Sequence, residues 1–127
     1  MNILVIEDHP AQRKLAHHVL SAAGHSVTDT DAAEQAFACI TEKRPEVILL
    51  DLALPGMDGL TLVRKLKANA DTRDIPVVAV TSYPETFSKS DALESGCDAY
   101  LLKPLSVRTL PEELNDVVTA RINQPPP

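Results

Sequence analysis

Five short stretches of the chain carry strand-like patterns: "NILVI" at 2–6, "HSVTDT" at 25–30, "EVILL" at 46–50, "IPVVAV" at 75–80 and "AYLL" at 99–102. Four are continuous apolar runs bounded by charged or turn-forming residues, and the second is more polar. Between them the apolar period changes to that of a helix. Ala11, Leu15, Val19 and Ala22 form a stripe that stops before Gly24, which predicts a first helix buried along that line. Ala33, Ala36, Phe37 and Ile40 predict a second helix ending before Pro45. Leu60, Val63 and Leu66 predict a third after the Asp58-Gly59 turn. A capping box of Thr109 and Glu112 opens a fifth, continued by Leu114, Val117, Val118 and Ile122.

The fourth helical stretch, "ETFSKSDALESG", has only Phe87, Ala92 and Leu93 as its main apolar residues, and they make no continuous stripe. It is expected to be loosely held. Residues 123–127 end in three prolines and predict an extended tail or the start of a linker, leaving 1–122 as one domain.

Five strand-helix units in succession imply an α/β fold. The expected architecture is a doubly wound, five-stranded parallel sheet. Burial on both faces explains why the third and fourth runs are apolar throughout, while the polar second run suits an edge. In such sheets a ligand crevice opens at the carboxyl ends of the strands, so the residues just after each run converge.

Composition narrows the chemistry. A net charge of −6 with no cluster of Lys and Arg argues against direct nucleic-acid binding. The four-residue run "ILVI" after Asn2 is neither signal peptide nor membrane span, and a cytoplasmic protein is expected. Cys39 and Cys97 lack metal or redox spacing and are read as small buried residues. His9, His17, His18 and His25 are read as surface or packing residues, since adjacent His17 and His18 face different ways.

The converging residues are Glu7 and Asp8 after the first run, Asp51 ending the third, Thr81 after the fourth and Lys103 after the fifth. Three carboxylates in one corner repel each other unless they share a hard dication, and Mg2+ suits such oxygen ligands while leaving positions for phosphate oxygens. Asp51, at the end of a central strand, is the best-placed carboxylate nucleophile toward phosphorus. Lys103 and Thr81 are placed to stabilise a phosphoryl group, and Pro104 suggests a fixed, cis peptide that aims the lysine inward.

Taken together, "ED" at 7–8, "LLDLALPGMDG" around Asp51, "VVAVTS" ending in Thr81 and Ser82, and "DAYLLKP" resemble a response-regulator receiver domain of bacterial two-component signalling. The likeness covers residues 1 to about 122, and it implies the flavodoxin-like (βα)5 form of the sheet, in strand order 2-1-3-4-5. It is closest to stand-alone DivK-like or chemotaxis-regulator-like receivers. The resemblance implies Glu7, Asp8, Asp51 and the Ala53 backbone carbonyl as Mg2+ ligands, Asp51 as phosphoacceptor, Thr81 and Lys103 as phosphate contacts, and Thr81 and Tyr100 as the switch pair. It implies a phosphohistidine donor on a sensor histidine kinase or histidine phosphotransfer protein. Output would pass to a downstream protein through the surface of the fourth helix, fifth strand and fifth helix. Such a protein is a phosphoacceptor regulator, catalysing at most its own phosphotransfer and dephosphorylation. Two alternatives stand beside it: a phosphorylation-independent scaffold, and a haloacid-dehalogenase-type phosphatase. The latter is disfavoured by Ala53, which stands where those enzymes carry a second aspartate.

Overall fold

The computed structural model describes residues 1–122, so the expected Pro-rich tail or linker start at 123–127 lies outside the described residues. Its elements in chain order are β1 (Asn2–Ile6), α1 (Pro10–Ala22), β2 (Ser26–Thr30) and α2 (Ala36–Glu42), the last preceded by a 3-10 turn at Ala33–Gln35. There follow β3 (Val47–Asp51), α3 (Gly59–Ala68), β4 (Val77–Thr81), α4 (Lys89–Ser95), β5 (Ala99–Leu102) and α5 (Leu110–Ile122). All strands are parallel, in the order β2-β1-β3-β4-β5. This is the expected flavodoxin-like topology.

β3 and β4 are buried at every position because helices cover both faces of the sheet. On one face Leu4, Ile48, Leu50 and Ala79 pack against α2, α3 and α4. On the other, Ile3, Val5, Leu49 and Val78 pack against Ala16 and Leu20 of α1 and Leu110 and Leu114 of α5. β2 is only half-buried, as an edge strand should be.

Three local expectations need correction. The apolar stripe of α1 runs through Ala16 and Leu20, whereas Leu15 is 51% exposed and Ala11 and Ala22 are exposed. Counting small alanines as core residues rotated the expected face, and the helix instead buries the line that meets the β1 and β3 side chains. α4 is shorter than the stretch 85–96, with Ser88 as its N-cap, Gly96 in the left-handed region ending it and Ala92 its buried residue. At the start of α5, Thr109 Oγ1 donates to Glu113 Oε1 at 2.5 Å, so its side-chain partner is Glu113 in place of Glu112. Cys97 is buried and Cys39 half-buried. Among the described residues, no helix is long and apolar enough to cross a membrane.

Candidate functional site

Parallel register brings the carboxyl ends of the strands to one level. Ile6 lies beside Leu50, Asp51 beside Val80 and Thr81 beside Leu102, so Glu7, Asp51, Thr81 and Lys103 leave the sheet together. Their backbones are pinned by ladder-like bonds: Glu7 N–H donates to Thr30 C=O, Leu52 N–H to Val80 C=O and Lys103 N–H to Thr81 C=O, each at 3.0 Å. The Lys103–Pro104 peptide is cis.

Oxygen atoms of Glu7, Asp8 and Asp51 all lie within 4.8 Å of one another. Glu7 and Asp51 are buried, while Asp8 lies on the open side of the cluster and exposes it to solvent. The Lys103 ammonium sits among them, 2.5 Å from Glu7 Oε1 and 3.2 Å from Asp51 Oδ2, and donates a third bond to Gln12 Oε1 at 2.5 Å. Burial pushes the Glu7 carboxyl up to about 7, helped by the neighbouring Asp51 and opposed by Lys103 and the His9 N–H. Burial pulls the other way on Lys103, but its bond to Glu7 and the charges of Asp51 and Glu7 outweigh this and hold its pKa above the ordinary lysine value. The lysine is therefore a fixed cation.

The loop after β3 holds the Asp51 carboxylate. Ala53 N–H donates to Asp51 Oδ1 at 3.0 Å. Gly59 N–H donates to Leu52 C=O at 3.0 Å, and any Cβ on Gly59 would meet Leu52 Cα at 2.7 Å and Asp51 O at 2.8 Å. Glycine is needed there because helix α3 passes so close to the nucleophile's own backbone. Asp58 then caps α3 by accepting the Thr61 N–H at 2.9 Å.

Thr81 is fully buried at the end of β4, where its hydroxyl oxygen accepts the Tyr83 N–H at 2.9 Å. Tyr100 is half-buried on β5 and donates its phenol O–H to the Phe87 carbonyl at 2.5 Å, tying the strand to the segment before α4. Burial and the Glu85 charge raise its pKa. Two residues escaped the sequence reading. Arg13 donates to the Glu7 carbonyl at 3.0 Å and pairs with Asp29 at 3.7 Å, and Gln12 takes the Lys103 bond. The available signal was their place in the first turn of a helix that starts three residues after an acidic strand end.

A buried carboxylate that ends a strand, faced by a cation and flanked by two further carboxylates, is built for an anion bound together with a counter-cation. The response regulator receiver domain family model matches residues 3–115. The chain belongs to that family. Among curated relatives, this receiver is 37% identical over 116 residues to the phosphate regulon transcriptional regulatory protein PhoB of Pseudomonas aeruginosa, covering 91% of the chain but 51% of that protein. It thus spans about half the length of PhoB. It is 33% identical to the polar-differentiation response regulator DivK of Brucella anthropi, covering 84% of the chain and 86% of that protein. Among solved structures, the receiver domain of a signal transduction histidine kinase from Syntrophus aciditrophicus superposes with a TM-score of 0.86 at 28% identity, over 98% of this chain and 94% of that one. Chemotaxis response regulator CheY4 of Vibrio cholerae gives 0.82 at 26%, over 91% and 97%. Membership implies phosphorylation-dependent two-component signalling.

Proposed function

We propose that this receiver accepts a phosphoryl group on Asp51 from a phosphohistidine of a sensor histidine kinase or histidine phosphotransfer protein, and acts in the cytoplasm as a protein-contact switch. The observation that carries the reading is the Lys103 ammonium held 3.2 Å from a buried strand-end carboxylate that two other acids flank. Asp51 attacks phosphorus, forming an O–P bond as the donor's N–P bond breaks. The electron pair stays on the imidazole nitrogen, which takes a proton from solvent. Lys103 neutralises charge on the phosphoryl oxygens, and Thr81 offers its hydroxyl to one of them.

The donor set fits Mg2+: every candidate ligand is a hard oxygen, Asp8 leaves an open approach, and the buried Glu7 and Asp51 carboxylates oppose each other's ionisation, which a shared dication would relieve. Glu7, Asp8, Asp51 and the Ala53 carbonyl would hold it. It would supply further neutralisation of the phosphoryl charge.

Phosphorylation adds close to two negative charges beside Thr81 and Lys103. Thr81 turning toward them exchanges its bond with Tyr83 N–H and opens space behind β4. Tyr100, tied to Phe87 C=O, then carries the change into the segment before α4. The surface of α4, β5 and α5, where Leu93 and Leu102 are 43% and 54% exposed, reports the state to a partner protein.

Incubation with acetyl phosphate and Mg2+ followed by intact-mass analysis tests the reading. A phosphoryl adduct on the wild type that is absent from Asp51→Asn is the expected result. No adduct on the wild type under any small donor would leave the scaffold alternative.

A further inference from the structure

We propose that Gln12 is a positioning residue for Lys103, holding the ammonium in a resting place from which the phosphorylated site must draw it. The inference rests on the phosphoacceptor reading of Asp51 and concerns how that site is regulated. An ammonium has three N–H donors, and here all three are taken, by Glu7, Gln12 and Asp51. The two shortest bonds, at 2.5 Å, go to Glu7 and Gln12, and the longest, at 3.2 Å, goes to Asp51. A phosphoryl group on Asp51 sets several charged oxygens beside the donor that already points there, and drawing the ammonium fully onto them stretches its other bonds. Gln12 offers only a neutral, exposed amide oxygen, so its bond is the one given up.

A second observation gives that bond a wider role. Gln12 and Lys103 stand on opposite walls of a largely apolar cleft of about 140 Å³ that runs down from the acidic cluster. One wall is α1, with Leu15 and Val19. The other is the loop after β5, with Pro104, Leu105 and Val107. The Gln12–Lys103 bond bridges these walls, so the spacing between α1 and the loop is linked to where the ammonium points. The α1 backbone at this point does not depend on the Gln12 side chain, because the amide N–H of Gln12 is held by His9 Nδ1 at 3.4 Å.

The full chain and its Gln12→Ala and Gln12→Glu variants are compared by titration with beryllofluoride at saturating Mg2+, and by titration with Mg2+ alone. Without the amide competitor, Gln12→Ala should bind beryllofluoride about threefold to tenfold more tightly, the span set by one part-exposed hydrogen bond. Gln12→Glu, a stronger competitor, should bind it more weakly. In Mg2+ alone the order reverses for Gln12→Ala, because the released ammonium settles on Asp51 and competes with the metal. A merely structural role would weaken both ligands together. Equal or weaker beryllofluoride binding by Gln12→Ala overturns the inference while leaving the phosphoacceptor reading intact. Failure of the wild type itself to bind beryllofluoride defeats both.

Discussion

Replacing Lys103 by methionine keeps the length and apolar stem of the side chain and removes its charge. The lysine side chain is 14% exposed, and the Glu7 and Asp51 side chains it neutralises are 8% and 7% exposed. Breaking a buried pair by deleting one partner costs about 3 to 5 kcal/mol, because the remaining charge stays desolvated. The lower end applies here, since Asp8 and exposed Gln12 let water reach the cluster and Glu7 can take up a proton to relieve the repulsion. A loss of about 3 kcal/mol in a chain of this size lowers the midpoint of thermal unfolding by roughly 10 °C. A divalent cation bound to the same carboxylates replaces the missing charge, and its binding energy adds to the folded state alone. Unfolding followed by circular dichroism, in chelator and again in millimolar Mg2+, should show a large gap between variant and wild type that shrinks by more than half when the metal is present. A gap of the same size in both buffers would refute the argument that charge neutralisation links Lys103 to the acidic cluster. So would a variant more stable than the wild type in chelator.

Three further outcomes follow from the same geometry. Gly59→Ala forces a methyl group against the Leu52 and Asp51 backbone, which should cost about 1 to 3 kcal/mol in urea unfolding and slow the acetyl phosphate labelling of Asp51; unchanged values for both would show that the loop yields freely. Burial pushes the Cys97 thiol up to about 11, disfavouring the reactive thiolate across neutral pH, so a thiol reagent at pH 8 should label half-buried Cys39 first and Cys97 only on unfolding. Equal labelling rates in the native protein would contradict that placement. Tyr100→Phe removes the bond to the Phe87 carbonyl, and hydrogen exchange should speed up over residues 85–92 while labelling of Asp51 is retained; unaltered exchange there would detach Tyr100 from the switch.

Where sequence and structure part company, the reason lies in what each interaction depends on. The strands were legible because continuous apolar runs are required wherever helices cover both faces of a sheet, and β3 and β4 meet that requirement at all positions. Glu7, Asp8, Asp51, Thr81 and Lys103 were legible because parallel strands deliver their carboxyl ends to one place whatever the helices do. The buried face of α1 was misjudged, since alanine tolerates either face and only the neighbouring β1 and β3 side chains decide between Leu15 and Leu20. Nor does any local pattern pair Lys67, Asp98 and Arg121, which lie far apart in the chain. In the fold Arg121 reaches Asp98 at 2.6 Å and Lys67 donates to the Ile75 carbonyl at 3.0 Å, joining α3, α5 and the approaches to β4 and β5.

The sequence by itself determined the parallel α/β sheet and the membership of the acidic, strand-end site, because those follow from hydrophobic period and from which residue types end each run; the strand order came with the family resemblance. Only the tertiary structure decided how the site is wired. Lys103 is separated by 96 residues from Glu7 and by 91 from Gln12, and no local pattern chooses which acceptor a long, flexible ammonium side chain will hold. That choice is made when the sheet and α1 have fixed the surrounding oxygens in space, and the partition of one cation among Glu7, Gln12 and Asp51 is its result.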